Sequence, residues 1–580
     1  MCGILGSITK RQYNLNNALR SLAHRGPDNQ QVWKHDLVTF GHTRLSINDL
    51  SSNANQPFQY QDVVAVFNGE IYNYKALREQ ISCDYTFTTN SEVEVICALY
   101  KRYGIDFVDK LDGMFSIAIF DITENEIFCF RDRLGKKPFY YHFDYDKNEF
   151  YFSSEQKTFS EFNIEFQFDS RIIDNVLNYT FYSRESLNSN VSTLPPGGYL
   201  RLNLSNFQIE VSKYFEVSDL IDESYYRELN NSNCESILQD LLRSSIKKRL
   251  MSDVPVAIIA SGGLDSSLIS HFANDYGDYN LLHVNSVDDS ELNYANSLAK
   301  DLNVRLHSMD LNYDTFVNNL DDTLFYWEYP LVHNNAVGIL QVSKLAREQG
   351  YKVLLGGEGA DELFGGYPYH QLFMKANYLS RFLKFVPTQL NQALIYARTD
   401  TKSAGTHPTI EHILVSERFK KYEQKYSFVS SEHERKMLSY LASELEEYLV
   451  PLLSRADRMS MSHGVEMRLP FLDIEVIRFA LNLPLRSKLS LSKSKIILRN
   501  IGKSILSPSL IDRPKTGFTV NYSERFLLEN GIDELHHLNK YFDSKNVIRN
   551  LYRNKQYHKI MKLYTLDKIL KRNHDNSIRY

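Results

Sequence analysis

Two rhythms of apolar and polar residues run along this chain. In the first third, apolar residues come in short β-branched and aromatic runs. Asp62–Phe67 (DVVAVF), Phe115–Phe120 (FSIAIF) and Glu126–Phe130 are each bounded by Gly, Asn or Asp, and each predicts a strand. Ser91–Tyr103 (SEVEVICALYKRY) instead spaces its apolar residues at helical intervals. Around residues 190–235 the pattern breaks. Leu194-Pro195-Pro196-Gly197-Gly198 predicts a loop, and polar, irregular sequence continues to Asn233, which places a domain boundary there. Beyond it, the strand candidates Val254–Ala260, Leu281–Val287 and Lys352–Leu355 alternate with the helix candidates Cys234–Leu250, Leu292–Leu302 and Gly338–Gln349. Such alternation predicts a parallel sheet wrapped by helices. From about Gln371 to Met459 the pattern is mostly helical, and no internal repeat is visible.

Composition changes this picture little. The 580 residues suffice for two to four domains, and 43% hydrophobic with 24% charged residues is ordinary for a globular protein. A formal charge of −5 points to neither nucleic acid nor membrane as partner, and no apolar run approaches the roughly 18 residues of a spanning helix. The start, MCGILGSITK, lacks the basic flank of a secretory signal. Five cysteines make no disulfide framework, so the expected location is the cytoplasm. Only the tail is strongly charged. Leu535–Tyr580 carries 11 Lys or Arg against 3 Asp, but Ile560, Leu563, Leu566 and Leu570 share one helical face, and a terminal amphipathic helix is expected there.

Candidate chemistry begins at Cys2. Removal of Met1 would leave thiol and free α-amine on one residue. The amine titrates near 8, so a large fraction can accept a proton, whereas roughly a tenth or less of an ordinary thiol is ionised at neutral pH. An adjacent base makes such a thiol a competent nucleophile. Downstream stand, in order, His24-Arg25-Gly26-Pro27-Asp28, Arg44-Leu45-Ser46-Ile47, Asn68-Gly69-Glu70-Ile71-Tyr72-Asn73, Leu111-Asp112-Gly113-Met114-Phe115 and Arg131-Asp132-Arg133-Leu134-Gly135. With Met1-Cys2-Gly3-Ile4, this series resembles the glutaminase domain of class II glutamine amidotransferases, which are N-terminal-nucleophile hydrolases. The resemblance implies an αββα sandwich with Cys2 as nucleophile. It implies an oxyanion site from the Asn68 side chain and the Gly69 N–H, and glutamine contacts from Arg44, Leu45, Ser46, Ile47, Asn48, Asn68, Gly69, Glu70 and Glu92. The family usually has Asp where this chain has Glu92, so the arm is one methylene longer.

A second constellation follows the strand ending at Ala260. Ser261-Gly262-Gly263-Leu264-Asp265-Ser266-Ser267 leads into a helix start, the geometry in which backbone N–H groups and the helix dipole cradle phosphate. No Gly-Lys-Ser/Thr follows, so it is not a Walker A loop. Another strand runs into Gly356-Gly357-Glu358-Gly359-Ala360-Asp361-Glu362-Leu363-Phe364-Gly365-Gly366. Three carboxylates in five residues among glycines are costly as core and mark a site. Both strings, with Arg455-Ala456-Asp457-Arg458, Val465–Asp473 and Lys495–Arg499, resemble the synthetase domain of the glutamine-dependent asparagine synthetase family, an ATP pyrophosphatase.

That resemblance implies a glutaminase domain over residues 1–205, a linker over 206–233, a synthetase domain over 234–525 and a C-terminal helical extension over 526–580. ATP would lie against Ala260, Ser261, Gly262, Gly263, Asp265, Ser266, Asn285, Gly356 and Gly357, with Mg²⁺ on Asp265 and Asp361. Lys495 would stabilise phosphate charge, and Glu358 would serve adenylate formation or act as base. Ala260 is often Leu in the family, Gly356 often Ser, and Asn285 replaces an apolar residue. The implied reaction amidates a carboxylate through an acyl-adenylate, using glutamine and ATP, and allows a homodimer. Aspartate is the favoured acceptor. A surface-sugar acid or cell-wall peptide is the alternative, and Glu328–Gly338 departs from the plain asparagine synthetase form. A non-catalytic homologue is the reading from another class, opposed by the intact Cys2, Arg44, Asn68, Asp265, Glu358 and Lys495.

Overall fold

The protein is described from a computed structural model, which describes residues 2–574 except 12, 14, 179–185, 287–290, 383–412, 415, 512–519, 521 and 533. Met1, Val287, the middle of the Gln371–Met459 helical stretch and the last six tail residues therefore lie outside the described residues.

Twelve strands build the first domain: β1 (Cys2–Ile8), β2 (Asn29–His35), β3 (Val38–Arg44), β4 (Phe58–Tyr60), β5 (Val63–Ile71), β6 (Gly113–Asp121), β7 (Glu126–Arg131), β8 (Tyr140–Asp144), β9 (Glu149–Ser153), β10 (Ser192–Thr193), β11 (Gly198–Asn203) and β12 (Gln208–Lys213). They form two antiparallel six-stranded sheets, ordered β10-β8-β9-β1-β3-β2 and β12-β11-β7-β6-β5-β4. β1, β5, β6 and β7 are apolar on both faces because each sheet is covered on both sides. Ile4, Phe40, Val64, Val66, Phe120 and Phe152 fill the space between the sheets. Leu5, Leu19 and Leu22, around helix α1 (Leu15–Ser21), pack outside the first sheet with Phe159 and Phe162. Helices α2 (Tyr74–Ile81) and α3 (Glu92–Tyr103) cover the second through Val93, Ile96 and Leu99. The result is the αββα sandwich.

The second domain holds a parallel sheet of β13 (Val256–Ile259), β14 (Leu281–Ser286), β15 (Leu306–Leu311), β16 (Val353–Leu355) and β17 (Glu466–Arg468), ordered β15-β14-β13-β16-β17. Every pair is parallel, with helices such as Cys234–Arg249, Leu264–Asn274 and Ala336–Glu348 as crossovers and cover. The helix Glu432–Met461 runs 30 residues through the core. The tail helix Tyr557–His574 buries Ile560, Leu563, Leu566 and Leu570, as the spacing predicted, and buries Lys562 as well. Among the described residues no helix is long and apolar enough to cross a membrane.

One difference concerns the span read as linker. Gln208–Lys213 pairs with β11 from Gly198↔Lys213 to Asn203↔Gln208 and extends the second sheet. Its Gln-Ile-Glu-Val-Ser-Lys alternation is that of an edge strand, which polarity alone disguised.

Candidate active sites

β1 places Cys2 opposite Arg44 of β3, with the residue only 7% exposed. The Cys2 N–H donates to Asn68 Oδ1 at 3.1 Å. That bond fixes the Asn68 amide, and its Nδ2 is buried with no partner. A buried, unpartnered donor next to a nucleophile suits an oxyanion that forms only during reaction. The neighbouring Gly69 supplies a second donor by register. Tyr72 N–H bonds Asp112 O at 2.7 Å, so alternate residues of β5 face β6, and the N–H groups of Phe67, Gly69 and Ile71 face the other edge. Phe67 N–H is taken by Gln56 Oε1 at 2.6 Å and Ile71 N–H by Glu92 Oε1 at 3.0 Å. Gly69 lies between them, and a Cβ there would meet Met114 O at 2.1 Å, so no side chain fits.

Two carboxylates stand beside this edge. Asn48 Nδ2 donates to Glu70 Oε1, and Glu70 Oε2 meets Arg468 Nη2 at 3.0 Å. Burial, countered by Arg468 and reinforced by Glu466, pushes Glu70 up to about 7. Glu92 lies well above the ordinary carboxylate range, through burial and then the Glu70 charge. The longer arm of Glu92 is used in reaching the Ile71 N–H. Arg44 Nη1 donates to Ser51 O and Asn55 Oδ1, both at 2.7 Å, and Nη2 donates to Asp49 O. The guanidinium therefore belongs to the 48–55 loop. Ser46 N–H is held by Asp28 at 2.8 Å, and Leu45 and Ile47 are buried, so these two contribute backbone and packing.

In the second domain β13 runs through Ala260 into the turn 261–263, and Gly263 caps the helix Leu264–Asn274. Gly262 has φ +65, and a Cβ would strike Tyr294 at 2.5 Å, so this position requires glycine. Ser266 Oγ donates to Gly263 O at 3.1 Å and fastens the turn. Asp265 opens the helix, and its Oδ2 meets Lys495 Nζ at 2.5 Å. Lys495 also meets Asp361 Oδ1 at 2.7 Å. Burial opposes its charge, but the two aspartates outweigh burial and raise its pKa. The Lys495 backbone is left-handed at φ 50, unusual for a side-chain-bearing residue and a feature of functional sites. Gly366 allows the approach, since a Cβ there would lie 2.1 Å from Lys495 Cε. Gly356 does the same for Glu358, whose Oε2 would be 2.6 Å from a Cβ. Gly357 sits beside Asp265, with a Cβ position 3.5 Å from that of Asp265. Asn285 is committed to Asp310 of the adjacent strand at 3.0 Å. The structure thus brings Asp265, Asp361, Lys495, Gly357 and the Ser261–Ser266 turn together, and directs the Asn285 amide to Asp310.

Beside Cys2, where the two domains meet, lies a buried ionic network. Arg25 donates through Nε to Cys2 O at 3.1 Å and pairs with Glu155 at 3.0 Å and Asp457 at 2.9 Å. Lys137 reaches Asp457 at 3.1 Å. Arg458 pairs with Glu155 at 2.9 Å and with Glu328 at 2.7 Å. Glu328 opens the segment 328–338, where Arg455 Nη1 donates to Asn335 Oδ1 at 2.7 Å.

Residues 238–574 match the family model described as asparagine synthase, and residues 1–215 match that of a glutamine amidotransferase domain. This chain belongs to the asparagine synthase family. It is a glutamine-hydrolysing ligase of that family. Asparagine synthetase [glutamine-hydrolyzing] 1 of Bacillus subtilis is 28% identical over 581 residues, spanning 92% of this chain and 89% of that protein. A Gibberella zeae protein named Amidase chry2 is 31% identical over 412 residues, 63% of this chain and 59% of its own length. Among solved structures, the B. subtilis glutamine phosphoribosylpyrophosphate amidotransferase is similar at 15% identity with a TM-score of 0.28, covering 53% of this chain and 65% of that one.

For this member of the synthase family, sequence reasoning gave no role to Lys137, Glu155, Glu328, Asp457, Arg458 or Arg468. Most of them lie inside the quoted strings, but their partners are far away in sequence: Arg25 and Asp457 are 432 residues apart. The available signal was the density of unlike charges in otherwise apolar motifs, such as Arg455-Ala456-Asp457-Arg458.

Proposed function

We propose that the protein amidates aspartate to asparagine, with glutamine as nitrogen donor and ATP as activating co-substrate. Once Met1 is gone, the Cys2 α-amine takes the thiol proton as the sulfur attacks the glutamine side-chain carbonyl; that proton goes to the departing ammonia, and water then releases glutamate from the thioester. Asn68 Nδ2 and the Gly69 N–H receive the oxyanion. Glu70 and Glu92 meet the glutamine ammonium, and Arg44 meets its carboxylate by exchanging bonds that it otherwise makes to the 48–55 loop. In the second domain the turn Ser261–Ser266 and Lys495 hold the phosphates while the acceptor carboxylate attacks the α-phosphorus, giving the adenylate and pyrophosphate. Glu358 then takes a proton from the incoming ammonia. Mg²⁺ fits Asp265 and Asp361, because that ion binds through one or two carboxylates plus phosphate oxygens, and Asp265 Oδ1 is buried without a partner. When bound it would neutralise phosphate charge.

The observation that carries this reading is the buried, unpartnered Asn68 Nδ2 beside Cys2 in one domain, together with Lys495 held between Asp265 and Asp361 beside the glycine turn of the other. The test is pyrophosphate release with ATP and Mg²⁺ over a panel of carboxylic acids, with either glutamine or ammonia as nitrogen source. Aspartate is expected to give asparagine and AMP. Cys2→Ala should abolish the glutamine-dependent reaction and leave the ammonia-dependent one. Silence with aspartate beside activity on another acid would overturn aspartate and keep the amidotransferase.

One observation favours that second reading. The segment 328–338 carries His333-Asn334-Asn335, with Asn334 Nδ2 bound to Val520 O at 3.0 Å and Ser523 Oγ at 2.8 Å, and Asn335 bound to Arg455. These bonds fix the segment whose sequence departs from the plain asparagine synthetase form, and a different acceptor carboxylate is the reading it supports.

A further inference from the structure

We propose that Arg468, a residue of the synthetase domain, is a positioning residue of the glutaminase: its guanidinium keeps Glu70 as the anion that receives the α-ammonium of glutamine. The inference rests on the reading of Glu70 given above.

Arg468 lies on β17, the edge strand of the parallel sheet, and is fully buried. Three of its donors are spent within its own domain. Nη1 donates to Arg249 O at 2.8 Å and Met251 O at 2.6 Å, and Nε donates to Glu466 Oε1 at 2.5 Å. Held on that side, it projects Nη2 across the domain boundary to Glu70 Oε2 at 3.0 Å. The Tyr72 ring packs beneath it at 6.0 Å and beneath Arg249 at 4.6 Å.

Charge counting gives this contact its meaning. Glu70, Glu92 and Glu466 are three buried carboxylates around the Arg468 guanidinium, and the N-terminal ammonium also favours the Glu70 and Glu466 anions. The nearby cations are committed elsewhere, Arg249 to Asp473 at 2.9 Å and Lys137 to Asp457 at 3.1 Å. Glu466 balances the Arg468 charge, burial and the Glu70 charge push Glu92 well above the ordinary range, and Glu70 is left as the carboxylate that an arriving ammonium would hold ionised. Glutamine brings an ammonium. Without Arg468, burial and two neighbouring carboxylates would protonate Glu70 at neutral pH and remove its attraction for that ammonium. Glutamine binding thus depends on a residue that arrives only when the synthetase domain is docked.

The test uses the full chain with Arg468→Gln, Arg468→Lys and Glu466→Gln. Glutamate release is measured from pH 6 to 9, and pyrophosphate release with ammonia is measured in parallel. Arg468→Gln is expected to raise KM for glutamine about tenfold or more at pH 7, with kcat much less affected, and this KM falls as pH rises. Arg468→Lys recovers part of the loss. Glu466→Gln, which removes a competing carboxylate, moves the KM profile the other way, toward lower pH, and decides the matter if Arg468→Gln fails to fold. Ammonia-dependent synthesis stays within about threefold of the parent in all three variants. An unchanged glutamine KM overturns the proposal, as does a parallel fall in ammonia-dependent synthesis, which marks Arg468 as merely structural. Glutamate release persisting in Cys2→Ala would overturn the nucleophile, a different outcome from any of these.

Discussion

At the residue scale, the two sites use opposite electrostatics. The glutaminase crowds carboxylates together, whereas the nucleotide site crowds two aspartates onto one lysine. Glu70 is pushed up to about 7 by burial, so its anionic fraction grows between pH 6 and 8. KM for glutamine in the parent protein should accordingly fall over that interval, checked by steady-state glutamate release. The sign for stability is opposite. A raised carboxylate costs stability above its folded pKa, and that cost disappears as pH falls toward its ordinary value near 4.5. Lys495 has the reverse situation, since its charge is held by Asp265 and Asp361. Lys495→Met should lower ATP-dependent pyrophosphate release by roughly 10²–10³-fold and leave glutamate release intact, because the lysine acts on charge developing at phosphate. The strings that hold Cys2, Arg44, Asn68, Asp265 and Lys495 stand out in the sequence, and the structure brings Asn68 to Cys2 and Lys495 to Asp265 but turns Arg44 to the 48–55 loop. Arg468 was not legible, because its partner Glu70 stands almost 400 residues earlier and belongs to another fold.

At the element scale, strands and helices followed the hydrophobic pattern closely. The expected helix from Ser91 begins at Glu92, and the expected strand Leu281–Val287 is seen through Ser286. Where patterning failed, the element was an edge. β12 has a half-exposed face and few apolar residues, so its polar sequence read as linker until its pairing with β11 was visible. The segment 328–338 is likewise illegible as an element. Residues 328–335 are irregular backbone leading into the helix Ala336–Glu348, and they are secured from outside: Leu331 N–H donates to Thr565 Oγ1 at 2.9 Å on the tail helix. Thr565→Val keeps the shape and removes that acceptor from a buried N–H. It should destabilise the synthetase domain by about 1–3 kcal/mol, seen in denaturant unfolding, and raise KM for the acceptor acid.

At the scale of the whole molecule, the two domains share an apolar core, into which Leu45, Ile47 and Leu134 pack, and a buried ionic network. Arg25, Lys137, Glu155, Asp457 and Arg458 are all buried at the junction. Burial disfavours the Glu155 anion, but His24, Lys157 and Arg458 outweigh it and hold it well below the ordinary range. Asp457 is lowered in the same way by Arg25 and Lys137, and Asp473, by Arg249 and Lys248, to about 2. These lowered carboxylates contribute stability that is fully present above their ordinary values near 4 and lost as pH falls through the folded values. Acidification from pH 4 toward 2 should therefore separate the domains, visible as a rise in radius of gyration by small-angle scattering. Moderate salt at pH 7 should leave the junction intact, because buried pairs are poorly screened. None of this was legible from local pattern, since ion pairs over such separations carry no sequence period.

The bond from Leu331 to Thr565 has a consequence in time. The twelve strands of the first domain are all synthesised by Lys213, but the wall of the acceptor site lacks its anchor until Thr565 has left the ribosome. At about 5–20 residues per second, that interval is on the order of tens of seconds. A half-made chain thus has its nucleophile in place while Arg468 is still unsynthesised. On the role proposed for Arg468, a nascent chain that stops short of it binds glutamine weakly, and the Leu331 segment gains its anchor later still.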